Sequence, residues 1–163
     1  MGELSRIRLN VGSGDKHWPG FLNCDAYGEP DVLTDCRKLP FDADYADEIH
    51  SIHFVEHIAR MDVDNMLADW HRVLKRGGRL VIEVPCLNKM AEHIVNGEKN
   101  MRLMQLGIFG DPRDPKPGMM HQWSYTKEEL TEIVLQAGFA KVEVKEPVFH
   151  LAKRDMRLEA VKP

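Results

Sequence analysis

The chain has 163 residues, 43% of them hydrophobic, which suits one globular domain that buries a core without disulfide or metal staples. Its 22 Lys and Arg stand against 26 Asp and Glu, for a formal net charge of -4. That balance excludes a general attraction to phosphate backbones or anionic lipid, so neither a nucleic-acid nor a membrane partner is expected. Cys24, Cys36 and Cys86 are odd in number and form no CxxC pair, which argues against a disulfide framework or a Cys-rich zinc site and for reduced thiols. Met1 to Arg8 contains no apolar targeting run, and no segment approaches about 18 apolar residues. The reading is a soluble cytoplasmic protein of one domain spanning residues 1–163.

In chain order, Arg6 to Val11 alternates polar and apolar residues and runs into Gly12-Ser13-Gly14, a strand ending in a glycine-rich turn. Phe21 to Asp25 and Asp31 to Asp35 are short strands that each end on a carboxylate. Ala46 to His53 is a fourth strand, and Arg79 to Pro85 (RLVIEVP) a fifth with the strongest β character. Between the last two, Val63, Met66, Leu67, Trp70, Val73 and Leu74 follow helical spacing, which predicts a helix from Asp62 to Arg76 with Gly77 as its stop. Residues 88–122 carry weak helix signals and Gly110, Pro112, Pro115, Pro117 and Gly118, the marks of an insertion or lid over the site. A capping box, Thr126-x-x-Glu129, opens a second helix with Leu130, Ile133, Val134 and Ala137 on one stripe and Gly138 as terminator. Lys141 to Val148 and Arg154 to Val161 close the chain as a hairpin expected to be the only antiparallel pair. Lys141, Lys145, Lys153, Arg154, Arg157 and Lys162 crowd this last quarter and read as solvated surface, with a local basic patch as the alternative.

Strand and helix alternation predicts an α/β fold: a doubly wound, mostly parallel Rossmann-like sheet with a C-terminal antiparallel hairpin, its ligands at the C-terminal strand ends. Too few residues separate Gly14 from Phe21, and Asp25 from Asp31, for ordinary helical crossovers. The first crossovers are therefore shortened.

Gly12 and Gly14 follow a strand where backbone can approach a ligand, although the third glycine of a dinucleotide fingerprint would fall at His17. A plain strand-ending turn fits the same residues. Asp25 and Asp35 end neighbouring strands on that edge. A carboxylate there can hold both hydroxyls of a ribose (Asp25) or an exocyclic adenine amine (Asp35), and either can equally be a turn or cap residue.

LNVGSG, PGFLNCD, DVLTDCRKLPF, ADEIHSIHFVEHI, a helix ending RVLKRGG, and RLVIEVP, in that order, resemble the small class I S-adenosylmethionine-dependent methyltransferases of the type 11 kind, densely from Leu9 to Cys86. The later HQWSYTKEELTEIVLQAGF is similar to the same group's last helix. The resemblance implies S-adenosylmethionine as cofactor. Gly12, Ser13 and Gly14 would contact its methionine end, Asp25 the ribose, Ala26 the adenine face, and Asp35 with the Cys36 backbone the adenine edge. The activated methyl of a sulfonium needs only an aligned acceptor, exclusion of water and, for a hydroxyl or amine, a base. His53, at the end of the fourth strand, lies where such folds place the acceptor, and is either that base or a cofactor-lining residue. His121, just before Trp123 and Tyr125, is a second candidate for acceptor contact or a packed loop histidine. A small-molecule or saccharide-like acceptor is expected.

Two other readings compete. His53-Phe54-Val55-Glu56-His57 matches HxxEH, in which two histidines on one helix bind zinc, but strand character up to His53 separates the pair, so no metal is expected. The other is a noncatalytic cofactor-binding or partner module on the same fold.

Overall fold

The computed structural model describes residues 6–114, 116 and 118–163. Residues 1–5, part of the stretch read as free of a targeting run, and Pro115 and Pro117 of the predicted insertion lie outside the described residues. Among the described residues, seven strands form one sheet: β1 (Arg8–Val11), β2 (Leu22–Asp25), β3 (Val32–Leu33), β4 (Ala46–Ile52), β5 (Leu74–Pro85), β6 (Ala140–Lys145) and β7 (Asp155–Val161). They lie in the order β3-β2-β1-β4-β5-β7-β6. The first five pair in parallel, as the alternation predicts. The closing hairpin is not the only antiparallel pair. β7 inserts between β5 and β6 and runs antiparallel to both, because Leu158 and Ala160 continue the apolar face begun by Ile82 and Leu80.

One face of the sheet is apolar: Leu9, Val11, Cys24, Ile49, Leu80, Ile82, Val84, Met156 and Leu158 alternate inward and are fully buried. It is covered by α1 (Arg60–Val73), through Val63, Met66, Leu67, Trp70 and Val73, and by the helix that carries Leu130, Ile133 and Val134. Helix α1 stops three residues short of Arg76, because Leu74 turns extended (ψ 141°) and pairs with Ala46 of β4. The weak helix signals of the predicted insertion resolve into two nine-residue helices, α2 (Leu87–Val95) and α3 (Met101–Phe109). α4 (Lys127–Gln136) is capped as predicted, Thr126 Oγ1 accepting from the Glu129 N–H at 3.1 Å.

The other face is polar, with Arg8, Asn10, Asn23, Glu48, His50, Arg79, Glu83, Arg157 and Glu159 in register. Connecting segments cover part of it: Trp18 stacks on Phe149, and the Glu83 carboxylate accepts from the N–H groups of Val148 and Phe149. Two of the basic residues read as solvated surface belong to buried ion pairs instead. Arg157, 7% exposed, meets Glu83 at 2.9 Å and Glu159 at 2.6 Å, and Arg154 meets Asp155 at 2.7 Å. Glu83 and Asp155 are fully buried, and such carboxylates require partners.

Neither of the first two crossovers contains a helix. Side-chain amides hold them in its place. Asn10 Nδ2 donates to Asn23 Oδ1 and to the Lys16 carbonyl, Asn23 Oδ1 also accepts from Trp18 N–H, and Asp31 Oδ2 accepts from both the backbone and side-chain N–H of Asn23. These bonds satisfy backbone that a crossover helix would otherwise satisfy internally. No helix among the described residues is long and apolar enough to cross a membrane.

Candidate active site

The C-terminal ends of β1, β2 and β3 bring the first predicted residues together. Gly12 and Ser13 both donate from N–H to the Cys24 carbonyl (2.9 and 3.1 Å), bending the chain sharply off β1. Gly14 N–H then donates to Asp25 Oδ2 at 2.8 Å, while Tyr27 N–H binds Asp25 Oδ1 at 2.9 Å. Gly12 (φ +73°) and Gly14 (φ +52°) both occupy the left-handed region, for different reasons. A Cβ on Gly12 would fall inside the Phe54 ring, whereas one on Gly14 would meet nothing within 4 Å. Gly12 is therefore a packing glycine, and Gly14 is the one that faces open space.

Ala26 and Tyr27 are exposed beside Asp25. One strand over, Thr34 N–H donates to the Asp25 carbonyl at 2.8 Å, which sets Asp35 and Cys36 on the same rim. The Asp35 carboxylate is held by Arg37 through Nε and Nη2, and this hydrogen-bonded pair keeps its pKa below the ordinary value. Arg37 also reaches Asp62 on α1 at 3.2 Å. The Cys36 carbonyl accepts from Trp70 Nε1 at 2.9 Å, and its buried thiol is pushed up to about 12 by desolvation.

At the end of β4 the chain leaves the sheet one residue earlier than predicted. His53 is in the left-handed region (φ +53°) and donates from its N–H to the Glu83 carbonyl at 2.8 Å. Its ring lies between two buried carboxylates, with Nδ1 2.9 Å from Glu56 Oε1 and Nε2 3.5 Å from Asp155 Oδ2, and it meets the His150 ring at a tilt of 36°, 3.9 Å between centroids. Burial opposes the charge, but the two carboxylates outweigh it and raise His53 to about 9. That upward shift favours the imidazolium at neutral pH, the form without a lone pair for a base. Beside that cation, burial pushes His150 down to about 4.

The HxxEH pattern lacks its helix: after His53 there is only the three-residue 3-10 turn Val55–His57. His57 meets His121 edge-on instead, with ring centroids 4.8 Å apart. The insertion is tied to this corner. Gln122 N–H donates to the Glu56 carbonyl at 2.7 Å, and Lys116 pairs with Asp15 in the glycine turn. His121 Nδ1 lies 2.8 Å from the Gly107 carbonyl, and burial lowers its pKa, which favours a neutral ring with Nδ1–H donating and Nε2 bare. Glu56, Glu83, His150 and Asp155 were not read as site residues from the sequence. The Glu56-His57 half of the HxxEH match was the one available signal. Two concave regions of the surface lie elsewhere, one along α4 (Lys127, Thr131, Leu135) and one at the opposite strand ends (Arg6, Glu48, Lys75, Arg79).

The fold is that of solved S-adenosylmethionine-dependent methyltransferases, to which the chain is similar, in keeping with the resemblance read from the sequence. Residues 18–82 match the type 11 model described as a methyltransferase domain, a span that contains Asp25, Asp35 and His53 but neither the glycine turn nor His121. An S-adenosylmethionine-dependent methyltransferase from Archaeoglobus fulgidus superposes with a TM-score of 0.65 at 16% identity, over 96% of this chain and 86% of that one. The 1,6-didemethyltoxoflavin-N1-methyltransferase of Burkholderia thailandensis, solved with bound 1,6-didemethyltoxoflavin and S-adenosylhomocysteine, gives 0.65 at 16%, over 96% and 70%. A possible exported protein from Bordetella parapertussis gives 0.62 at 14%, over 98% of this chain, which spans 62% of that protein's length. No curated protein matches the chain by sequence.

Proposed function

We propose that the protein is a cytoplasmic methyltransferase that binds S-adenosylmethionine along the rim from Gly12 to Cys36 and methylates a small-molecule or saccharide-like acceptor on the side of His53 and His121. The observation that carries this reading is the pairing of Gly14 N–H with Asp25 across two strands, at a turn whose glycine faces open space. Each Asp25 oxygen already accepts one backbone N–H and keeps a lone pair for a ribose hydroxyl. Bound there, the cofactor would supply an activated methyl group. Gly12, Ser13 and Gly14 set the backbone beside it, Ala26 and the Cys36 backbone bracket the base, and Asp35 reaches the base edge on release from Arg37. The insertion, tied to Asp15 and Glu56, serves as a lid that excludes water. His53, as a cation, stabilises negative charge near the acceptor rather than removing a proton.

Calorimetric titration with S-adenosylmethionine and S-adenosylhomocysteine tests the reading. Wild type binds both, and Asp25→Ala loses affinity by about ten- to a hundredfold, the worth of hydrogen bonds to a charged group at ~1.5 to 3 kcal/mol. No binding to folded wild-type protein overturns the proposal. Binding without methyl transfer to a broad acceptor panel would instead favour the noncatalytic module.

A further inference from the structure

We propose that Glu56, His57 and His121 form a binding site for one divalent transition-metal ion, which staples the insertion to the sheet rim. The inference stands apart from the transferase reading, since it needs only these three side chains.

Their donor atoms lie within 4.8 Å of one another. Glu56 is 1% exposed, and neither of its carboxylate oxygens has a hydrogen-bond partner among the described residues. His53 Nδ1 is close to one of them, at 2.9 Å, but off the direction a hydrogen bond requires. His53 beside it offsets part of the charge but donates to neither oxygen, so the buried carboxylate keeps lone pairs that a cation beside two imidazoles would fill. His57 Nδ1 is also buried and unpartnered. On His121, the Gly107 carbonyl takes the Nδ1 proton at 2.8 Å. That arrangement fixes the tautomer and aims the Nε2 lone pair, as outer partners do around metal-bound histidines.

Two imidazoles and one carboxylate are ligands for zinc, manganese, cobalt or ferrous iron rather than for magnesium or calcium. Bonds of about 2.0–2.1 Å to a tetrahedral ion place donors about 3.4 Å apart, so donors now within 4.8 Å of one another close by at most about 1.4 Å on binding. At least one position stays open for water or an acceptor oxygen. Glu56 and His57 come from the turn after β4 and His121 from the insertion, so the ion joins elements 64 residues apart in the chain.

A second trio, His53, His150 and Asp155, also gathers donors. It is the weaker candidate, because the Asp155 carboxylate is already held by Arg154 at 2.7 Å and by Leu151 N–H at 3.0 Å.

The test is chelator-stripped full-length protein, re-equilibrated with zinc or manganese, with metal counted by plasma mass spectrometry and affinity taken from calorimetry. Wild type and His150→Ala should each bind about one ion, and His57→Ala and His121→Gln should each weaken binding at least tenfold. Zinc should raise the unfolding temperature of wild type but not of His121→Gln, a readout that also shows the variant folds. Three results overturn the proposal: no stoichiometric ion on folded wild type, wild-type affinity in both folded variants, or loss of the ion in His150→Ala.

Discussion

Gly12 and Gly14 sit two residues apart in one turn, both with positive φ, yet the structure gives substitutions at them different costs. Ala at either position pays the left-handed backbone penalty of roughly 1–2 kcal/mol. Only at Gly12 does the new methyl enter space filled by Phe54, whose ring stacks toward Trp70 at 6.3 Å. Overpacking adds roughly 1–3 kcal/mol, so Gly12→Ala should cost about 2–5 kcal/mol and Gly14→Ala about 1–2. A central loss of about 3 kcal/mol lowers the unfolding midpoint of a domain this size by about 6–12 °C. The assay is urea unfolding of both variants and of Gly12→Ala in a Phe54→Ala background, where the steric part should vanish and leave about 1–2 kcal/mol. Equal costs for the two glycines, or a Gly12 penalty unchanged when Phe54 is truncated, would refute the assignment of Gly12 to packing.

Glu83→Ala leaves Arg157 buried beside an empty position and frees the Val148 and Phe149 N–H groups; it should cost about 3–5 kcal/mol, and a loss under about 0.5 kcal/mol in chemical unfolding would show that the pair carries no weight. Glu159, despite the cost of its desolvation, is held down to about 2 by Lys145, Arg157 and Arg79. Its folded value lies below its ordinary 4.5, so its contribution is present above about pH 4.5 and lost as pH falls toward 2. With the solvent screening of a partly exposed group, that contribution is about 1–2 kcal/mol. Unfolding free energies measured from pH 6 to 3 should fall less steeply in Glu159→Gln than in wild type, and parallel curves would contradict the assignment.

The strands and the two long helices were legible because their burial is periodic: Leu9, Val11 and Leu80, Ile82, Val84 alternate, and the α1 stripe repeats every three to four residues. The meeting of the glycine turn with Asp25 followed from strand order alone. Helices α2 and α3 were hidden by the prolines and glycines counted against them, yet those lie after α3, and Gly107 is inside it because Met90 and Arg154 press on that position. The end of α1 was misread because pairing of Leu74 with Ala46 overrides local propensity. The Arg37 clamp on Asp35, the Phe54 ring against Gly12, and the convergence of Glu56 with His121 depend on side-chain directions that no spacing rule reports.

The amide-pinned first crossover leaves an electrostatic signature on the rim. A helix starting at Gly14 would have aimed several free N–H groups and a partial positive charge at whatever occupies the turn. Without it, an anionic group docking there finds the N–H groups of Gly12, Ser13 and Gly14 already donated to Cys24 and Asp25, so compensating charge has to arrive on side chains. Lys116, which reaches Asp15 from the segment after α3, is one side chain placed to provide it, and because both members of that pair are more than half exposed, its pull on an acid should weaken as salt is added.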